Sequence, residues 1–506
     1  MAEPATLDER KRASRPYVLA AAMLGMFMAA VESTIVATAM PTIVGDLGGF
    51  RWIGWVFSGF MLAQAVTTPI FGKVADLFGR RPAYAGGVAL FLLGSILSGL
   101  APSMGWLIAF RFLQGLGAGS VMPIAQTMIG DVYPGTERAR VQGWLSSVWA
   151  LSALTGPMIG ALIVKFWHWS WIFWINVPVG AVSVALVLLF LEEPVRKERP
   201  AIDWAGSAAL FLALIGWMGG LLFSGVLWPW LSWETAALFA LGLGATVFFV
   251  RAERRAREPV MPPALFRERL IAVANGATFI TGAALIALST FLPSYVQGVL
   301  GRPPEVAGMA LTAMSIGWPL GSFVLGRLYG RVGPRAAAIA GAVFLFVGGT
   351  MLALMRPAYG ALYAGAASFW IGLGMGFTNT AYIVAIQSRV PWALRGAATS
   401  TNLFMRLFGG TVGAAVFGAL LNRGVERALV AGGLSPEEAE RALRALGTLF
   451  LGGGLSGVTG VDPALLASAL EAGMRSVFVG LWALTLVNGA LVWLLPGERL
   501  PGERRA

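Results

Sequence analysis

Long apolar runs separated by short polar connections recur along the whole chain. Fourteen of them are assigned as spans: 17–40, 52–71, 82–101, 105–128, 140–164, 170–191, 203–224, 235–251, 270–297, 305–326, 336–355, 360–382, 395–421 and 473–495. A helix of about 20 apolar residues crosses a bilayer, so each run is read as a membrane-spanning helix. The pattern predicts an all-α polytopic membrane protein. Composition agrees: 57% of residues are hydrophobic and 12% charged, against roughly 45–50% and about 25% in soluble domains.

The charge adds an orientation. With residues at the span ends counted with their connections, those on the side of the N-terminus carry 26 of the 37 Lys and Arg residues, those on the other side 9, and Arg111 and Arg406 lie deep inside spans. Basic loops stay in the cytoplasm, so both termini are expected there. The net charge of +12 is therefore read as topology, and no nucleic-acid partner is expected. The polar stretch from Met1 to Arg15 has no small-residue cleavage site before Tyr17, and no cleaved signal peptide is expected.

Candidate chemistry is sparse. There is no cysteine, and the single histidine, His168, cannot build a metal cluster alone, so no metal site is expected. His168 sits among tryptophans and reads as an interfacial anchor or a pH sensor. No Gly-rich phosphate loop with Lys-Ser/Thr appears, so ATP is not the expected drive. With no clustered histidines or carboxylates in the spans, an enzyme is not expected. The outer segment 422–472 holds two helix starts, Ser435-Pro436 and Asp462-Pro463. It reads as a flap over the outer mouth, a docking surface for a periplasmic partner, or an uninvolved connection.

One carboxylate lies inside the first span. Glu32 stands where nearly every neighbour is apolar or small, and an ionisable group in that setting is a functional candidate by default. Counting about 1.5 Å per residue from the span ends puts Glu32 and Arg111 at similar depth. They are expected to pair, directly or through Gln114 or water, because unpaired buried charge costs several kcal/mol. Burial and a neighbouring cation pull a carboxylate's proton affinity in opposite directions. Separating the pair would thus change its proton occupancy; the alternative is a static structural ion pair.

The chain also repeats itself. Gly72-Lys-Val-Ala-Asp76-Leu-Phe-Gly79-Arg80-Arg81 is echoed by Gly326-Arg-Leu-Tyr-Gly-Arg-Val-Gly333-Pro-Arg335, and Gly115-Leu-Gly-Ala-Gly119 by Gly372-Leu-Gly-Met-Gly376. Two six-helix halves follow, with spans seven and eight inserted between them. The expected division is a tail over 1–16, a bundle over 17–191, the inserted pair with basic connections over 192–269, a bundle over 270–495 and a tail over 496–506.

These motifs carry a resemblance. The 72–81 stretch resembles the signature between helices two and three of the major facilitator superfamily. Arg111-Phe-Leu-Gln114-Gly115-Leu-Gly-Ala-Gly119 resembles its helix-four motif, and Thr155-Gly156-Pro157-Met158-Ile159-Gly160 the antiporter motif of helix five. The stretches from Glu32 to Pro41 and from Trp171 through Asn176 and Pro178 to Gly180 resemble motifs of the fourteen-helix drug:proton antiporters, with Glu32 where Asp is more usual. The resemblance implies a major facilitator fold with two six-helix bundles plus two inserted helices, working by alternating access. It implies export of amphipathic drugs against protons from a bacterial cytoplasmic (inner) membrane, with antibiotic resistance as the expected consequence and no cofactor beyond the proton gradient. A lipid or metabolite exporter, or a proton-coupled importer, would share the fold.

Within that frame each motif has a role to fill. Glu32, Arg111 and Gln114 would couple protons. Gly72 and Gly79 would permit tight turns, and Asp76, Arg80 and Arg81 would latch neighbouring helix ends, or merely mark topology. Gly156, Pro157 and Gly160 would bend and seal helix five, or form a generic packing face. Arg406 has no acidic partner inside the second-half spans. It would face a water-filled cavity, a substrate acceptor or helix carbonyls. Asn402, Asn379, Trp318, Tyr382 and Met314 are the other candidates to line a soft substrate cavity, against a packed or lipid-facing place.

Overall fold

The computed structural model describes residues 7–49, 52–193, 203–224, 228–449 and 462–497. The basic stretch Arg196–Arg199, the Gly-rich run 450–461 and the ends 1–6 and 498–506 lie outside the described residues. In chain order the helices begin with α1 (Leu7–Leu47), α2 (Ile53–Phe78), α3 (Arg80–Gly99), α4 (Met104–Val132) and α5 (Gly135–Phe166). Then come α6 (Trp171–Trp174), α7 (Asn176–Phe190), α8 (Trp204–Phe223), α9 (Trp233–Arg255), α10 (Pro263–Arg267) and α11 (Arg269–Gly298). The last five are α12 (Pro304–Ala353), α13 (Gly360–Arg389), α14 (Arg395–Ala431), α15 (Pro436–Leu449) and α16 (Pro463–Trp493).

Thirteen of these stretches are long and apolar enough to cross a membrane, α6 and α7 counting as one. One, α12, is two spans run together across Gly333, whose backbone (φ 70°, ψ 173°) is not helical. Fourteen spans result, as the apolar pattern predicts. Helices satisfy their own backbone hydrogen bonds, which lipid cannot do. At some helix starts a side chain accepts from one of the N–H groups left without a helical partner. Asp203 accepts from Gly206 N, Ser232 from Thr235 N and Asp462 from Ala464 N.

The repeat is visible in the backbone. Gly79 (φ 102°, ψ 152°) and Gly333 occupy the eighth place of their ten-residue stretches, and both adopt a positive φ that a side chain would resist. Gly72 corrects an expectation. It makes no turn but lies inside α2, where a Cβ would stand 2.0 Å from Ser400 Oγ and 2.7 Å from the Gly396 carbonyl oxygen. It is a contact point for α14.

The segment 422–472 is also less loop-like than its polarity suggests. Helix α14 runs on to Ala431 and α16 starts at Pro463. Between them α15 is amphipathic, opened by a reciprocal Ser435–Glu438 capping box. Its Ala439 and Ala442 pack on Val425, Leu429, Leu466 and Ala469.

Helices α1 to α7 pack among themselves, as do α11 to α14 with α16. The α8–α9 hairpin packs on α2 and α14, with Gly216 set against the backbone of Gly242. The two halves meet along α5 with α12 and α2 with α14. Their polar and backbone contacts gather toward one end, where the 72–81 connection lies; it is called here the basic end. Ser146 and Ser322 are hydrogen-bonded at 2.9 Å. Gly143 faces the Phe323 ring, and Gly326 the backbone of Ala139 and Arg140. Gln387 Nε2 donates to the Gln126 carbonyl at 3.0 Å.

Candidate functional site

Glu32 is fully buried on α1, and its carboxylate is held from two sides. Arg111 Nη1, from α4, donates to Oε1 in an ion pair. Asn176 Nδ2, from the first residue of α7, donates to Oε2 at 2.5 Å. The same Arg111 nitrogen donates to Gln114 Oε1 at 2.8 Å, one turn along α4. Gln114 and Asn176 both donate to Ser95 Oγ of α3, at 3.1 and 3.0 Å, and the Ser95 hydroxyl in turn donates to the Phe173 carbonyl at 2.8 Å. The Arg111 guanidinium also lies 4.1 Å from the Phe60 ring centroid of α2, a favourable place for a cation. Side chains from α1, α2, α3, α4 and α7 thus converge on one buried charge pair.

Glycines make that convergence possible. A Cβ on Gly94 would meet Gln114 Cα at 2.5 Å, and one on Gly115 would meet the Phe60 carbonyl oxygen at 2.4 Å. The echo in the second half behaves alike. Gly372 lies against the Met314 carbonyl oxygen and Gly376 against that of Trp318. Small residues let the backbones approach and set α4 and α13 deep in their bundles.

The helix-five motif docks on the same part of α1. Gly156 is placed against Thr34, two residues beyond Glu32, and Gly160 against Ile35 and Thr38. Pro157 lies between them inside α5. The α1–α5 contact therefore lies within one turn of the carboxylate.

At the basic end the buried carboxylate of Asp76 accepts from the Gly396 and Ala397 N–H groups at 2.9 and 2.7 Å. These are the first residues of α14 after Arg395, so an acid of one half sits on the positive end of a helix of the other. Arg80 pairs with Asp76 at 2.9 Å and with Asp131 at 2.9 Å. It also donates to the Trp392 carbonyl at 2.8 Å and stacks 3.9 Å from its ring centroid. Arg395 closes the circuit on Asp131 at 2.5 Å. Arg81 stays within its own half, donating to the Leu188 carbonyl near the end of α7. Lys73, also buried, pairs with Glu258 at 2.6 Å, tying the connection after the inserted hairpin to the same end.

The second-half candidates separate. Arg406 Nη1 donates to Asn379 Oδ1 at 3.0 Å and lies 5.9 Å from the Trp318 ring centroid; all three are partly exposed. Asn402 is buried and donates to Asn275 and Thr278 of α11. Tyr382 and Met314 lie in two buried apolar clusters. His168 is an exposed partner of Asp46 at 3.4 Å.

The family model described as Major Facilitator Superfamily matches residues 22–211 and 204–414. The chain belongs to the major facilitator superfamily. It is 35% identical over 410 residues to Multidrug resistance protein 3 of Bacillus subtilis, covering 81% of this chain and 80% of that one. It is 34% identical over 414 residues to Multidrug transporter protein MdtP of the same species, covering 82% and 76%. These relatives place it in the multidrug efflux branch of the superfamily. The human organic anion transporter MFSD10 has the same fold, with a TM-score of 0.62 at 13% identity over 94% of this chain and 99% of that one. This major facilitator chain is a membrane transporter and not an enzyme.

Three residues of the transporter's buried networks carry little signal in the linear sequence. Asn176 is visible only as part of the 171–180 motif, Ser95 is one serine in an apolar run, and Asp131 ends α4 without a recognisable pattern. Their contacts span sequence separations of 144, 19 and 51 residues, which the apolar periodicity does not encode.

Proposed function

We propose that the chain exports amphipathic small molecules in exchange for protons by alternating access, from a bacterial cytoplasmic membrane with both termini in the cytoplasm. The observation that carries this reading is the Glu32 carboxylate, enclosed in a membrane-spanning helix and held by Arg111 and Asn176 within one turn of the α1–α5 contact. A buried ion pair is costly to desolvate, and an ionisable residue inside a membrane span is by default a functional candidate. Protonating Glu32 cancels the pair and frees α1 to shift against α5. Drug binding at the interface of the halves would favour one protonation state, which couples the two fluxes.

The latch at the basic end supports the second part. With that end cytoplasmic, as its Lys and Arg content suggests, the contacts Asp76–Gly396/Ala397, Arg80–Trp392 and Arg395–Asp131 belong to a state closed toward the cytoplasm. Opening inward requires α14 to leave Asp76 and α12 to leave α5. The relatives named as multidrug transporters support amphipathic drugs as cargo.

The test is efflux of a fluorescent amphiphile from proteoliposomes under an imposed pH gradient. Wild type should respond to the gradient, and Glu32→Gln should lose the response while still exchanging ligand down its own gradient. Gradient-driven efflux at the wild-type rate in Glu32→Gln would remove Glu32 from the coupling role.

A further inference from the structure

Arg406 is the one cation deep in the described spans whose hydrogen-bonded partner is neutral, and the proton-coupling reading does not use it. It stands eleven residues after Arg395 in α14, about 16 Å along the axis and so near the middle of a core about 30 Å thick. Asn379 lies ten residues before Arg389, the end of α13, at a similar depth. Helices α12, α13 and α14 are the second-half helices that touch α2, α4 and α5. Trp318, Asn379 and Arg406, one from each of these three helices and all partly exposed, converge on one another.

The charges around it are otherwise satisfied. Arg111 is neutralised by Glu32, and Arg80 and Arg395 by Asp76 and Asp131. Among the described residues no carboxylate pairs with Arg406. On its own helix the only acid is Glu426, twenty residues on, about 30 Å away. Only Nη1 is engaged by a side chain, through Asn379 Oδ1. The Asn379 amide nitrogen, a donor, has no hydrogen-bond partner among the described residues. Two sets of donors therefore point from adjacent helices with no anion to receive them, beside an indole face.

We infer that Arg406 and Asn379, with Trp318, form an anion subsite in the transport path, so that the preferred cargo is an aromatic or amphipathic molecule bearing a carboxylate or sulfonate. The inference rests on the transport reading and narrows it to a substrate class. A guanidinium held in the membrane interior without a counter-charge is costly, and an anionic ligand supplies that charge with the forked geometry that suits two oxygens. A cationic ligand would meet repulsion there, and Glu32, the deep carboxylate of the first half, is enclosed and already paired. Trp318 offers an apolar surface for the rest of the molecule.

The test uses two probes of near-identical shape, 1-anilinonaphthalene-8-sulfonate and the neutral N-phenyl-1-naphthylamine. Each is titrated against the purified full chain in lipid nanodiscs, with empty nanodiscs subtracted. Arg406→Gln should weaken the sulfonate at least about tenfold, the scale of a lost charge-assisted hydrogen bond, and leave the neutral probe within about twofold. Arg406→Lys, which keeps the charge but not the fork, should recover part of the sulfonate affinity. Unchanged sulfonate binding in Arg406→Gln, or an equal loss for both probes, would overturn the subsite. Wild-type protein that binds the neutral probe but not the sulfonate overturns the subsite and leaves the transport reading standing. Binding of neither probe would count against both.

Discussion

Thr34 Oγ1 occupies the space that Gly156 leaves open: a Cβ on Gly156 would stand 2.0 Å from that oxygen. The hydroxyl donates to the Val31 carbonyl at 2.9 Å, so it is held in place by the turn that carries Glu32. The helix-five motif is thereby keyed into the helix bearing the carboxylate.

Gly156→Ala should accordingly reduce pH-driven efflux by about tenfold or more, because overpacking of this kind costs typically about 1–3 kcal/mol and falls on a moving contact. Removing the obstructing oxygen with Thr34→Ala leaves only Thr34 Cβ, 3.1 Å from the added methyl. The double variant Gly156→Ala/Thr34→Ala should recover much of the rate in the same proteoliposome assay. Failure of the double variant to exceed Gly156→Ala would locate the damage elsewhere.

The Glu32–Arg111 pair makes a stability prediction with a characteristic sign. Arg111→Gln leaves a buried carboxylate without its cation and should destabilise by about 3–5 kcal/mol. Glu32→Gln/Arg111→Gln removes both charges and should melt at a higher temperature than Arg111→Gln alone. Thermal unfolding in detergent, at one fixed pH, measures the ordering; additive losses would mean the two side chains are energetically independent.

Asp76→Asn keeps the size of the side chain but replaces one acceptor oxygen by an NH2 group facing the N–H groups of Gly396 and Ala397. It also removes the charge that meets Arg80 and the start of α14. If Asp76 gates as proposed, turnover should fall by about tenfold, with equilibrium ligand affinity within about twofold, since the lesion lies away from the ligand. Loss of binding with turnover per bound ligand unchanged would assign Asp76 a different part.

The chain contains no cysteine, so engineered pairs report without background. Ser146 and Ser322 face each other across the α5–α12 seam with oxygens 2.9 Å apart. Ser146→Cys/Ser322→Cys should form a disulfide on mild oxidation, stop efflux, and regain it on reduction. A cross-linked protein that transports at the uncross-linked rate would show that the halves need not part there.

How much of this was legible differs from element to element. Glu32 and Arg111 stand out because charge inside an apolar run is rare and expensive, and helical rise alone sets both at one depth. Gly79 is readable because a positive φ is a local property. Gly72 misleads, since the same residue type also serves close helix contact, and its partner Ser400 lies more than three hundred residues away. In the 422–472 segment the two helix starts are read correctly, at Pro436 and Pro463, while the flanking helices run further than their apolar runs because a polar stretch next to a span can continue as helix beyond the bilayer.

The apolar runs determined the number of spans, and with it which connections share a side, because polar groups are costly to place in lipid. The motif glycines determined where backbones can approach. What joins Asn176 to Glu32, sets Asp76 on the first turn of α14, and puts an amide and an indole beside Arg406 was decided by the packing of distant helices. Those contacts depend on how each helix is rotated and tilted against its neighbours, which interhelical packing fixes and hydrophobicity along the chain does not.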